Sequence, residues 1–295
     1  MGERFGDIGA VRAGLATTGY LADDAIATSV YLAEALAKPV LVEGPAGTGK
    51  TELAKSVAAM TGARLIRLQC YEGLDESKAL YEWNYRKQLL HLQAAATDAG
   101  GDDPEGDLFG EGFLLTRPLL EAIRATDDVV LLVDEVDRLE VETEALLLEV
   151  LSEYQISIPE LGTVTATRIP LVFLTSNNTR ELSEALKRRC LYLPLDYPDV
   201  ERERAIVLAR VPGISERLAH QVARVVRSLR ALDLAKPPSV SETLDWARTL
   251  VLLSVDTVDL ERARDTLPLL LKQRSDLAKA TTSLMSGALS AGGLD

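Results

Sequence analysis

Residues 44–51, Gly44-Pro45-Ala46-Gly47-Thr48-Gly49-Lys50-Thr51, stand between the apolar run Val40-Leu41-Val42-Glu43 and a helix-prone segment that begins at Glu52. After a strand and before a helix, glycines at this spacing let backbone N–H groups curl around phosphate oxygens at the positive end of the helix. A larger residue at Gly47 or Gly49 would obstruct that approach. Lys50 would reach the β- and γ-phosphates of ATP, and Thr51 would ligate Mg²⁺. The alternative is a glycine-rich turn with a solvated lysine, and the flanking strand and helix argue against it.

Around this stretch, five β-prone runs occur at residues 40–43, 64–69, 129–133, 171–175 and 190–195, separated by helical patterns. That alternation predicts a five-stranded parallel sheet covered by helices on both faces. The run Val129-Val130-Leu131-Leu132-Val133 ends in Asp134-Glu135 at the edge where ligands of open α/β sheets sit. Asp134 would hold magnesium through water and Glu135 would polarise the attacking water; a Glu beside the magnesium Asp suits hydrolysis rather than transfer to a substrate hydroxyl. The strand at 171–175 leads into Asn177-Asn178, where a neutral amide can bond both γ-phosphate and water, although Asn is also a simple turn former. Arg188-Arg189 precede Cys190 and the fifth strand. They could neutralise a γ-phosphate held by a neighbouring subunit, or merely complement a helix C-terminus.

Beyond residue 196 the pattern is helical only, at about 201–210, 215–232, 239–254 and 260–280, the last expected to break at Pro268. The chain therefore divides into an αβα nucleotide-binding domain, 1–196, a helical lid, 197–283, and a tail, 284–295. The first domain carries an insertion at about 71–117, in which residues 94–112 read as a mobile surface loop, and a β-hairpin at 155–167.

Two domains suit 295 residues. The net charge of −13 makes the surface as a whole repel nucleic acid and anionic lipid. No apolar run approaches the roughly 20 residues that span a bilayer, and the first residues lack a signal sequence or an acylation pattern, so a cytoplasmic location is expected. Cys70 and Cys190 sit in separate apolar stretches and read as reduced structural thiols, without metal-ligand spacing around His91 and His220.

Taken in order, GPAGTGKT, VVLLVDE, Asn177, Arg188-Arg189 and the helical lid resemble the AAA+ ATPases over almost the whole chain. Within them KPVLVEGPAGTGKTELAKSVA, VDEVDR followed by ETEALLLEVLSE, and the hairpin look like the MoxR group. RLQCYEGLDESKALYEWNYRKQLL, TRPLLEAI, ALKRRC and PPSVSETLDWARTL are similar to its CoxD-like branch. The resemblance implies a Mg²⁺- and ATP/ADP-binding hydrolase assembled as a homo-oligomeric, hexameric ring. It implies a von Willebrand A-domain partner and a molybdenum hydroxylase client of the carbon monoxide dehydrogenase type.

By position, the resemblance implies that Gly44, Pro45, Ala46, Gly47, Thr48, Gly49, Lys50, Thr51, Glu52, Asp134 and Tyr20 bind nucleotide. Thr51 and Asp134 hold the metal, and Glu135, Lys50, Asn177, Arg189 and Arg188 are catalytic, with Arg189 preferred to Arg188 as the finger. Gly19-Tyr20 matches a segment near the adenine. Glu242 stands where MoxR-type lids carry an arginine that senses the γ-phosphate, which leaves Arg248 as a substitute.

Tyr81, Trp83 and Tyr85 in a helical segment read as core or as a ligand platform. Arg210, Arg217, Arg224, Arg227 and Arg230 read as a solvated face or as a patch for an acidic neighbour or nucleic acid. Two other functions remain open: an adaptor gated by nucleotide binding alone, and a clamp-loader-like ATPase associated with DNA. No basic stripe with interleaved aromatics accompanies the latter.

Overall fold

Long apolar runs rich in Val and Leu can be buried on both faces only inside a parallel sheet, and this is where the chain puts them. The computed structural model describes residues 4–97 and 108–285. In chain order the elements begin α1 (Ile8–Thr17), α2 (Asp24–Ala35), β1 (Val40–Glu43), α3 (Lys50–Thr61), β2 (Arg64–Gln69), α4 (Glu76–Ala79), β3 (Tyr81–Trp83), α5 (Tyr85–Thr97), β4 (Leu114–Thr116), α6 (Pro118–Arg124) and β5 (Val129–Asp134). They continue with α7 (Val141–Glu153), β6 (Gln155–Ile158), β7 (Gly162–Thr165), β8 (Leu171–Ser176), α8 (Glu184–Arg189), β9 (Leu191–Pro194), α9 (Val200–Arg210), α10 (Glu216–Arg230), α11 (Val240–Leu252), α12 (Leu260–Leu270) and α13 (Arg274–Met285).

The five expected strands pair in the order β2-β5-β8-β1-β9, all parallel. The central β5 and β8 are buried at every position, whereas the edge strand β2 alternates exposed and buried residues. This register sets Gln69 beside Asp134 and Leu174 beside Val133, so the polar ends of β2, β5 and β8 meet at one edge of the sheet.

The chain forms two compact units. The first comprises Met1–Gly14, Asp24–Glu43 and Thr51–Pro194; the second comprises Leu15–Asp23, Gly44–Lys50 and Leu195–Asp295. Two short segments, one holding Tyr20 and the other Gly44–Lys50, group with the C-terminal helices instead of the sheet.

Four local expectations are corrected. Tyr81 and Trp83 lie on a strand rather than a helix, because Tyr81 pairs with Thr116 and Trp83 with Leu114, and this places the Trp83 indole edge-on to Phe109 at 5.3 Å. Residues 94–97 close α5 rather than opening a loop; residues 98–107 lie outside the described ones, as does the tail from 286. Pro268 does not break a helix but sits inside α12; the break comes at residues 271–273, where the Lys272 ammonium donates to the carbonyls of Pro268 and Leu269. Two of the five lid arginines are not part of a solvated face. Arg210 donates to Thr18 O, and Arg230 is buried.

The Arg230 guanidinium donates to Glu203 at 2.6 and 2.9 Å and lies over the Tyr197 ring at 4.3 Å. Burial raises the Glu203 carboxyl above its usual range, and Arg230 and the Thr243 hydroxyl offset that only in part. Trp246, Val222 and Val226 belong to the buried apolar core of the same unit. The hairpin forms as β6 and β7, with Gln155 opposite Thr165.

Candidate functional site

In the first unit, the acidic end of β5 is held by side chains from three elements. Asp134 is almost fully buried and accepts four hydrogen bonds. Its Oδ1 receives the Thr51 hydroxyl at 3.0 Å and the Thr175 hydroxyl at 2.5 Å; its Oδ2 receives Arg67 Nε at 3.0 Å and Nη2 at 2.5 Å. Thr175 also accepts the backbone N–H of Glu135 at 2.9 Å, so one hydroxyl fixes both acidic residues.

Glu135 itself is left-handed, at φ 58° and ψ 50°, a conformation disfavoured for a side chain of its size. Its carboxylate receives Gln69 Nε2 at 3.1 Å and Asn177 Nδ2 at 3.4 Å, and pairs with Arg138 Nε at 2.9 Å. Asn177 is in turn aimed by Asp137, whose Oδ2 accepts from the N–H of Asn177, the N–H of Thr179 and the Thr179 hydroxyl. Burial pushes the Asp137 carboxyl up, but those three donors outweigh it and hold it below the usual range. The other oxygen, Oδ1, has no hydrogen-bond partner among the described residues.

The two arginines before β9 differ. On α8, Arg189 is occupied within its own chain, donating through Nε to the Ser152 hydroxyl and through Nη1 to Ala185 O at 2.9 Å. Arg188 is 81% exposed and only loosely paired with Glu184 at 3.8 Å. Cys70 and Cys190 are both free thiols. Burial pushes each up to about 12, and for Cys70 the neighbouring Asp134, Asp137 and Glu135 add to the effect. Neither is a thiolate nucleophile.

In the second unit, the glycine loop is shaped by close approach. A Cβ on Gly47, where φ is +74°, would fall 2.2 Å from Ser239 Cβ, and one on Gly44 would fall 1.9 Å from Leu195 O. Val240 N–H donates to Gly47 O at 3.1 Å, and the Thr48 hydroxyl to Pro45 O at 3.0 Å. At Gly49, φ +96°, a Cβ would meet only the Tyr20 ring, at 3.6 Å, among the described residues. The Lys50 ammonium is folded onto the loop, donating to Gly44 O and Pro45 O at 2.7 Å each. Ala46 is exposed. The segment bearing Tyr20 is held to α9 by Arg202, which donates to Asp23 and to Leu21 O.

Glu242 caps the start of α11: Ser239 N–H donates to its carboxylate while its own N–H donates to Ser239 Oγ. Its occupation there explains the acidic residue at that position. Arg248 lies two turns further along α11 and pairs with Asp245. Glu52 belongs to the first turn of α3 in the first unit.

These residues fit Mg²⁺ and a nucleotide. An open left-handed glycine loop with an adjacent lysine suits phosphate, and the Thr51 hydroxyl with the Asp134 carboxylate supplies the hard oxygens that Mg²⁺ prefers. The sequence singles out the loop, Asp134, Glu135 and Asn177 as candidates; it does not single out Arg67, Gln69, Arg138, Thr175 and Asp137, which hold the two acids and Asn177. Thr175, Asp137 and Arg138 carry a signal, through their closeness to motif residues. Among the described residues no helix is long and apolar enough to cross a membrane.

Residues 39–190 match the AAA domain, dynein-related subfamily. The chain is 29% identical over 213 residues to the gas vesicle ATPase GvpN of Ancylobacter aquaticus, covering 65% of this chain and 55% of that one. It is 24% identical over 201 residues to an uncharacterised protein of Staphylococcus haemolyticus, covering 66% and 69% respectively. The chain thus spans little more than half the length of the gas vesicle ATPase. Among solved structures it is similar to the Thermotoga maritima RuvB Holliday junction branch migration motor, with 15% identity and a TM-score of 0.46 over 88% of this chain and 69% of that one.

Proposed function

Because the chain belongs to the dynein-related subfamily of AAA domains, we propose that it is a magnesium-dependent ATP hydrolase that remodels a client protein. The observation that carries this reading is the hydrogen bond from Thr51 to Asp134, with Glu135 adjacent and in reach of the Asn177 amide. In the proposed reaction, Lys50 and the loop N–H groups bind the β- and γ-phosphates, and Thr51 and Asp134 hold magnesium, which supplies charge neutralisation when bound. Glu135 takes a proton from the attacking water as its oxygen bonds to the γ-phosphorus; the bond to the β-phosphate oxygen breaks, giving ADP and phosphate. The named activity of the gas vesicle relative supports an ATPase.

Lys50→Ala is expected to abolish nucleotide binding, and Glu135→Gln to retain it while hydrolysis falls by roughly 10²–10⁴. Equilibrium binding and steady-state turnover on the same preparations check both. Undiminished turnover by Glu135→Gln would remove Glu135 from its role.

The proposed assembly is a hexameric ring in which one subunit supplies an arginine to the next. Since Arg189 is engaged with Ser152 and Ala185, the exposed Arg188 is the better finger. Arg188→Ala would lose about 10³-fold or more in turnover, and mixing it with Lys50→Ala subunits would restore part, since some interfaces then pair an intact loop with an intact arginine. No rescue in verified mixed rings argues against action between subunits.

The client assignment rests on the CoxD-like residues. A molybdenum hydroxylase of the carbon monoxide dehydrogenase type would be matured with a von Willebrand A-domain protein as adaptor, in the cytoplasm. The β6–β7 hairpin is the lever through which hydrolysis would reach it.

A further inference from the structure

A carboxylate has about four lone-pair sites, two on each oxygen. In Asp134 all four are taken: two by the Thr51 and Thr175 hydroxyls on Oδ1, and two by Arg67 Nε and Nη2 on Oδ2. A metal, or water bound to a metal, therefore reaches this carboxylate only if an existing donor leaves. The three donors are not equally free to go. Thr175 is buried in β8 and also binds the N–H of Glu135. Thr51 keeps its proton on Asp134 while its oxygen lone pairs remain available to a cation. Arg67 is a long side chain on the edge strand, 47% exposed against 3% for Asp134. It already has a second acceptor in Gln69 Oε1, to which Nη2 donates.

We propose that Arg67 is a displaceable counter-charge for Asp134: it holds Oδ2 and yields it when magnesium arrives with nucleotide. This rests on Thr51 and Asp134 being the magnesium pair. Arg67 is a regulator of that pair and touches no substrate. Its competition with magnesium weakens retention of Mg·ADP and so favours product exchange, while the buried Asp134 is never left without a cation.

The test is calorimetric titration of the full chain with ADP, once with Mg²⁺ and once with EDTA, for wild type, Arg67→Gln and Arg67→Lys. Arg67→Gln should bind Mg·ADP about tenfold more tightly, the equivalent of losing one charge-assisted competitor, while its affinity for ADP in EDTA stays at the wild-type value. Arg67→Lys keeps the charge but cannot fill both lone pairs at once, so it should fall between the two. Thermal unfolding gives an independent reading: without nucleotide Arg67→Gln should melt below wild type, and Mg·ADP should close the gap.

Unchanged or weaker Mg·ADP binding by Arg67→Gln overturns the proposal, the weaker case making Arg67 a support rather than a competitor. If Arg67→Gln does not fold, wild-type Mg·ADP affinity in Arg67→Lys overturns it equally. A wild type whose ADP affinity is indifferent to Mg²⁺ would instead remove the magnesium pair itself.

Discussion

The acidic end of β5 and the glycine loop at residues 44–50 are held in opposite ways. Asp134 and Glu135 keep their places because other side chains reach them: Arg67, Gln69, Arg138, Thr175 and Asn177 all donate hydrogen bonds or charge. The loop depends on the absence of side chains at Gly44 and Gly47, packed where a single carbon would collide, with Lys50 and Thr48 bonded to its carbonyls. The first arrangement can be retuned one hydrogen bond at a time. The second has a threshold, since close-packed atoms either fit or do not.

That contrast can be broken most severely at Gly47. Gly47→Ala adds a methyl at 2.2 Å from Ser239 Cβ on a left-handed backbone, and should lower stability by about 3 kcal/mol and eliminate measurable nucleotide binding. Gly62→Ala is the control. Gly62 is also left-handed, at φ +68°, but a Cβ there meets nothing within 4 Å among the described residues, so the loss should be near 1 kcal/mol with binding intact. Denaturant melts and nucleotide titrations distinguish collision from backbone strain; equal losses at the two glycines would contradict a steric origin.

The side-chain-held region should respond by degrees. Thr175→Val preserves shape but removes the hydroxyl that serves both Asp134 and Glu135 N–H. A loss of about 2 kcal/mol is expected, together with a fall in turnover, while ADP binding in EDTA stays unchanged. The smallest effect is a pH dependence. Because the folded Asp137 carboxyl is held below its usual range, its contribution is complete above the ordinary aspartate pKa and is lost as pH falls through its own, lower value. Asp137→Asn should flatten the acid limb of the stability profile, measured by thermal melts between neutral and strongly acidic pH, and an unaltered limb would assign acid sensitivity elsewhere.

The strands of the parallel sheet were legible almost to the residue, because burial on both faces leaves continuous apolar runs that few other structures produce. The loop and the two carboxylates were legible because their chemistry tolerates few residue types. Arg67 and Gln69 were not. In Arg64-Leu-Ile-Arg-Leu-Gln69 they alternate with apolar residues and look like the solvated face of an edge strand, and only the register that sets Gln69 beside Asp134 turns that face toward the acids. Tyr81 and Trp83 were misread for a similar reason: a three-residue strand has no period of its own and is defined by its partner at 114–116. Glu242 was read by position as a missing arginine, whereas Ser239-Val-Ser-Glu242 is a capping box written locally in the sequence.

The left-handed backbone at Glu135 bears on how this protein would respond to selection. Asn and Gly adopt that conformation at less cost than Glu, so a library screened for heat resistance alone should enrich Glu135→Gly and Glu135→Asn. Under the role proposed for Glu135, the winners of such a screen would be sturdier and would lose turnover. A glutamate here stands against a backbone preference, kept by its contacts with Gln69, Asn177 and Arg138 and, in the proposed reaction, by the demand for turnover.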